Sequence, residues 1–372
     1  MSKQLNELIK CYEDKGQLCL SLSANDNQSK FNLNNFEEIK VNTYLSESNV
    51  SQLEFDKKVF ANLDTKNRQT RGKEYPLFIN KKGNERFINL ELKSITDELC
   101  TLVLFCQSAE NDSLFVNVKV AENSKWRLVF ISSAEAVSAT YFNHNIKDDS
   151  RLEFITISLS EDLLSRSFMS KEGPDPSGYH IYSIAQVGKD AYYHLQQVSL
   201  GGVCGGKSVA ELCQEGAEAY LDTACFVEEN CVQSYELETV HHAPHTTSDI
   251  NSYGVVAENA RGELIGRGDI DKGSFASSCQ QDSRLLALDS TSEALCYPLL
   301  LINEYDVIAG HSSGVGQVDE DAVFYLRSRG LNEKDSKRLM IAAFLKPNIE
   351  KIMDDTAREY LVDRLDAKVV NR

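Results

Sequence analysis

Basic residues are scarce: Lys and Arg number 39 against 56 Asp and Glu, a formal net charge of −17 over 372 residues. That deficit opposes binding to nucleic acid, whose affinity comes largely from Lys and Arg releasing counterions from phosphates. Short basic clusters such as Lys81-Lys82 do not reverse it. No run approaches the roughly 20 apolar residues of a membrane helix. The opening MSKQLNELIKCYEDKG lacks a charged-then-apolar signal layout, so a cytoplasmic protein is expected. The ten cysteines (Cys11, Cys19, Cys100, Cys106, Cys204, Cys213, Cys225, Cys231, Cys279, Cys296) contain no CxxC pair and no zinc-ribbon spacing. In a reducing compartment they read as thiols, mostly buried as small hydrophobes. No Ser-His-Asp order, paired-carboxylate site or oxyanion loop stands out.

What is present falls into three textures. Residues 1–95 open with an amphipathic helix carrying Leu5, Leu8, Ile9 and Tyr12 on one face, followed by a polar, Asn-rich stretch of weak periodicity. Residues 96–318 are short apolar runs between polar or Gly turns, among them Leu99 to Cys106, Leu114 to Val120, Trp126 to Ile131 and Leu152 to Leu159. Several alternate with period two and are rich in Val, Ile, Phe and Thr. The lack of intervening helices of 10–15 residues argues against a doubly wound sheet and leaves a sandwich, barrel or β-solenoid; no strict repeat chooses among them. Residues 319–372 read as helical. Asp319, Glu320 and Asp321 favour a helix start, and Gly330 supplies a stop. Asn332 can cap a second helix, which Pro347 is expected to end, and Ile349, Ile352, Met353, Tyr360, Leu361 and Leu365 are spaced for a third.

Three segments invite chemistry. Gly201-Gly202-Val203-Cys204-Gly205-Gly206-Lys207-Ser208 fits the P-loop string, with Lys207 and Ser208 where phosphate and Mg²⁺ would be met. Gly216 interrupts the segment that should form the following helix, and the all-β surroundings favour a Gly-rich turn instead. His241-His242-Ala243-Pro244-His245 offers three imidazoles, but Pro244 bars a helix presenting two of them together, so a polar turn after a strand is expected. His311, between Gly310 and Ser312, follows the apolar strand Leu299 to Ile302.

Residues 199–365 resemble the SufB/SufD family of iron–sulfur cluster assembly proteins. The resemblance rests on Gln214-Glu215-Gly216-Ala217-Glu218-Ala219, on His241-His242-Ala243-Pro244-His245-Thr246-Thr247-Ser248, and above all on the ordered string from His311 through Val315-Gly316 to Phe324-Tyr325-Leu326-Arg327-Ser328-Arg329-Gly330. It implies a mainly β fold, a right-handed parallel β-helix flanked by helical N- and C-terminal regions. It also implies a non-catalytic scaffold that pairs with a SufB-type subunit and a SufC-type ABC ATPase to build a transient iron–sulfur cluster at the subunit interface for apo Fe–S proteins. This chain would itself bind no nucleotide, the Gly201–Ser208 string being a turn; a homodimer is the form open to the isolated chain. Gln281 where SufB-type chains carry cysteine, and Gly310 and Ser312 where they carry acids, point to the SufD type. Ala309 departs from the cysteine many SufD-type chains have there. The resemblance makes His311 the iron ligand for cluster formation, and makes Val323, Phe324, Leu326, Arg327, Arg329, Leu339 and Phe344 the ATPase-docking surface. Two other classes are weighed against this: a P-loop nucleotide-binding enzyme on Gly201–Ser208, and a β-helix acting on polysaccharide, which should show carboxylates and aromatics along one solenoid face.

Overall fold

The computed structural model describes residues 3–15, 18–23, 39–45, 85–94, 97–108, 112–134, 138–159, 169–170, 173–174 and 178–370. The Asn-rich stretch and Lys81-Lys82 lie largely or wholly outside them. From β3 (Glu85–Leu92) to β20 (Val307–Gln317) successive strands alternate between two nine-stranded sheets, save for a small β9–β10 hairpin (Met169–Ser170, Gly173–Pro174). One sheet runs in the order β1 (Leu18–Ser23), β4 (Cys100–Ser108), β6 (Lys125–Ala134), β8 (Arg151–Ser158), β12 (Tyr192–Leu200), β14 (Glu218–Val227), β16 (Thr247–Val256), β18 (Ser277–Ala287), β20, and the other in the order β19 (Glu293–Ile302), β17 (Arg261–Ile270), β15 (Val232–His241), β13 (Cys204–Leu212), β11 (Tyr179–Val187), β7 (Ser138–Ile146), β5 (Asp112–Val120), β3, β2 (Ile39–Leu45). Within both, every pairing is parallel except β2 (Ile39–Leu45) with β3. A chain that crosses from sheet to sheet and returns one strand further along is a parallel β-solenoid.

Local chemistry sets the corners. Asn123, Asp149, Asp190, Asn230 and Asn259 take positive φ at successive turns, as do Gly216 and Gly273. These are the residue types that tolerate the left-handed region. His245 (φ 56) occupies one such corner and stacks edge-on against Phe275 of the next coil, 5.4 Å between rings.

Between the corners, paired residues point the same way, so side chains stack in columns. Leu102, Leu128, Phe154, Leu195, Leu221 and Ile250 form one column inside the solenoid, all fully buried. The outer face of the same sheet is apolar as well: Val103, Val129, Ile155 and Ile157 are buried under α1 (Lys3–Asp14) and the C-terminal helices. Burial on both faces explains why these strands read as continuous apolar runs rather than alternating ones.

Three helices close the chain: α2 (Glu320–Ser328), α3 (Glu333–Ile349) and α4 (Asp355–Val370). Asp319 caps α2 and Asn332 caps α3, as their positions suggest; Gly330 takes φ +99 where α2 stops. Pro347 does not end α3. It stands in the last turn, and Leu345 and Ile349 on either side are fully buried against the solenoid. That burial holds the turn despite the lost backbone bond. Ile349 therefore closes α3, and α4 begins six residues later, capped by Asp354, whose Oδ1 accepts from Ala357 N at 2.9 Å. Asp354 is also a junction: Tyr12 Oη donates to its Oδ1 at 2.8 Å, and Arg127 Nη1 lies 3.7 Å from its Oδ2. Both terminal helices are thus tied to the solenoid wall at one carboxylate.

Candidate functional site

The solenoid ends on β19 (Glu293–Ile302) and β20, each the last strand of its sheet. Every inner coil is covered by the next; among the described residues no strand covers this one. Its backbone edges and side chains are consequently open, with Tyr305 fully exposed, Ile308 70% and Val315 53% exposed. An uncovered parallel edge carrying apolar side chains is a template for pairing with another chain.

His311 lies in the middle of β20, not at its end, and is exposed. Its register partner is Gln281 of β18 (Ser277–Ala287), which in turn pairs with Ile250. His311 therefore continues the lumenal column and presents its imidazole over the open mouth of the solenoid. On β19 the same rule turns Cys296 inward, since it pairs with buried Leu264. Its Sγ lies 4.0 Å from the Gly314 carbonyl across the mouth. Sequence reasoning missed this arrangement; the signal would have been the 30-residue offset between Gln281 and His311.

The helical surface is divided. Phe324 (72% exposed), Tyr325, Arg327, Arg329 and Leu339 face outward, whereas Leu326 is half-buried and Val323 is buried. Phe344 packs its ring on Tyr253 of the solenoid, 6.0 Å between centroids. The outward set is an exposed aromatic and basic ridge on α2 and its C-cap Arg329, with Leu339 on α3.

The other two segments resolve into structure. Only Gly201–Val203 is a turn, with Gly201 and Gly202 at positive φ; Cys204–Leu212 is strand β13. Lys207 Nζ is spent on Glu238 at 2.6 Å and Glu236 at 2.9 Å, nearly buried. A phosphate cradle needs these residues at a helix N-terminus, and here they lie within a parallel sheet. The imidazoles of residues 241–245 diverge. His241 is wholly buried, bonded to Thr246 Oγ1 at 2.7 Å and Ser248 Oγ at 2.8 Å, and burial, with His242 beside it, lowers its pKa to about 4. His242 is exposed and pairs with Asp271 at 2.7 Å. Cys279 is buried 3.8 Å from Thr239 Oγ1 and its thiol is pushed up by burial. Among the described residues no group of three or more His, Cys, Asp and Glu side chains is placed to hold a metal ion.

Residues 105–344 match the family model described as SUF system FeS cluster assembly, SufBD core domain. Curated proteins similar to the chain include the iron–sulfur cluster assembly protein SufD of Bacillus subtilis, 31% identical over 137 residues, 37% of this chain and 31% of that protein. A SufBD family iron–sulfur cluster assembly protein of Synechocystis is 26% identical over 298 residues, 73% of this chain and 63% of its own length. One from Mycobacterium tuberculosis is 30% identical over 145 residues, 39% of this chain and 17% of that protein. The chain thus spans less than two thirds of each. With the family model covering more than half of the sequence on a parallel β-solenoid, the chain belongs to the SufBD family of iron–sulfur cluster assembly proteins.

Proposed function

We propose that this chain is a SufD-type scaffold subunit, itself non-catalytic, that builds nascent iron–sulfur clusters together with a SufB-type subunit and a SufC-type ATPase in the cytoplasm. The observation that carries the reading is the uncovered last coil, where His311 faces the mouth of the solenoid among exposed apolar side chains. An imidazole is a good iron ligand, and one histidine is too few for a cluster, so ligands from a second chain complete the site. That chain is the SufB-type subunit, seated on β19 and β20; in isolation a second copy takes the same edge. The ridge of Phe324, Tyr325, Arg327, Arg329 and Leu339 suits docking of the ATPase, and nucleotide chemistry belongs to that partner, because Lys207 is already neutralised. The cluster passes on to apo Fe–S proteins.

Affinity purification of the tagged chain from its own cells tests this. A SufB-type subunit and a SufC-type ATPase should come with it in stoichiometric amounts. Ile308→Glu should release the first and Phe324→Asp the second, each variant melting close to the parent because both side chains are exposed. Recovery of the chain with neither protein would overturn the proposal.

A further inference from the structure

Two residues on from the apolar column inside the solenoid, the same face of the same strands carries a polar one: Thr156, Gln197, Thr223, Ser252, Ser283 and Ser313. All but Ser313 are buried. On the other sheet Phe142, Ser183, Ser208, Leu237 and Gly266 stand in register. The two columns face each other, because a methyl at Gly266 on β17 would lie 3.7 Å from Ser283 Oγ on β18. The same one-strand step sets Ser208 on β13 against Thr223 on β14, and Ser183 on β11 against Gln197 on β12. Ser183 (1% exposed), Ser208 (1%) and Thr223 (2%) all have hydroxyls without a hydrogen-bond partner. Tyr193 Oη comes near Ser183 Oγ without hydrogen-bond geometry and is unpartnered too. Buried Phe142 and Leu237 flank the two serines along their column and close the space at either end.

We propose that this closed chamber in the middle of the solenoid is a water-binding site, in which bound water bridges Ser208 Oγ and Thr223 Oγ1 across the lumen and reaches Ser183 Oγ. A buried hydroxyl costs free energy unless it is hydrogen-bonded, and alanine or valine would serve these strand positions without that cost. Several such hydroxyls converging on one space therefore mark a polar occupant. It must be small, since it fits between adjacent coils, and must both donate and accept, since hydroxyls do both. No side chain in either column is charged, so nothing there holds a cation or an anion. Three hydroxyls match the roughly three hydrogen bonds that a buried water makes. The water joins the two sheets at a level where the lumen is not filled by apolar packing. This inference does not rest on the scaffold reading.

Thr223→Val in the full-length chain tests it, because valine keeps the shape and removes only the hydroxyl. A hydrated chamber loses a partner for its water, so the unfolding equilibrium constant in urea should rise on the order of 10-fold. A dry chamber predicts the opposite sign, since deleting an unsatisfied hydroxyl stabilises the fold. Ser208→Ala should move in the same direction as Thr223→Val. A crystal structure of the wild-type chain at a resolution that shows ordered water gives the second measurement, independent of how the variants fold. Density for water within hydrogen-bond reach of at least two of the three hydroxyls is expected. An empty chamber, hydroxyls turned onto backbone carbonyls instead, or a Thr223→Val chain more stable than wild type would overturn the inference.

Discussion

His144 is fully buried with neither ring nitrogen hydrogen-bonded, packed 4.6 Å from Phe154, 5.6 Å from Phe142 and 5.7 Å from Tyr193. Burial alone drops its pKa to about 3, and His241 falls to about 4. Both are therefore neutral in the folded chain at pH values where the unfolded imidazoles, titrating near 6.5, take up protons. The stability they contribute is complete above pH 6.5 and is lost as the pH falls from there towards 4. The slope is up to about 1.4 kcal/mol per pH unit for each histidine. His144→Phe should remove one of the two slopes and, by deleting two unsatisfied nitrogens, stabilise the chain at pH 7 by roughly 1–2 kcal/mol. Urea unfolding of both proteins between pH 7.5 and pH 5 checks this; parallel pH profiles would contradict it.

At the scale of elements, a cross-strand ladder and the helix junction both bury charge. Lys207 on β13, Glu236 and Glu238 on β15 (Val232–His241) and Arg267 on β17 (Arg261–Ile270) form a network in which Arg267 lies 3.3 Å from Glu238. Lys207→Ala leaves two carboxylates short of a counter-charge and should cost about 3–5 kcal/mol in urea unfolding. A phosphate-binding lysine would instead lose nucleotide affinity with the fold intact. Tyr12→Phe removes the buried bond to Asp354 and should destabilise by about 1–3 kcal/mol, because the carboxylate loses a donor. Hydrogen exchange should then rise together in α1 and at the start of α4; exchange confined to α1 would show that Asp354 does not tie the two. Much of this level was legible in the sequence. Asp319 and Asn332 stand where they cap, and Leu8, Ile9 and Tyr12 are on the packed face of α1. The end of α3 was not, because the burial of Ile349 overrode the local signal of Pro347.

At the scale of the molecule, the body of short strands was readable but its winding was not. Repeat lengths along one edge column run 41 (Arg151 to Tyr192), 26 (Tyr192 to Glu218), 29 (Glu218 to Thr247), 31 (Thr247 to Ser278) and 30 (Ser278 to Ile308), so no fixed period survives in the sequence. Without those offsets the facing of His311 and Cys296 is undetermined, and only the resemblance singled out the histidine. The coil they sit on is open, so removing the imidazole takes little from a packed core. The most direct test is His311→Ala in the complex purified from its own cells, with iron, sulfide and melting temperature measured on the same sample. The scaffold reading expects an intact complex melting within about 2 °C of wild type, the shift of a surface substitution, and carrying far less iron and sulfide. Full cluster content in that variant, or a complex that falls apart while the remaining intact fraction keeps its cluster, would contradict it.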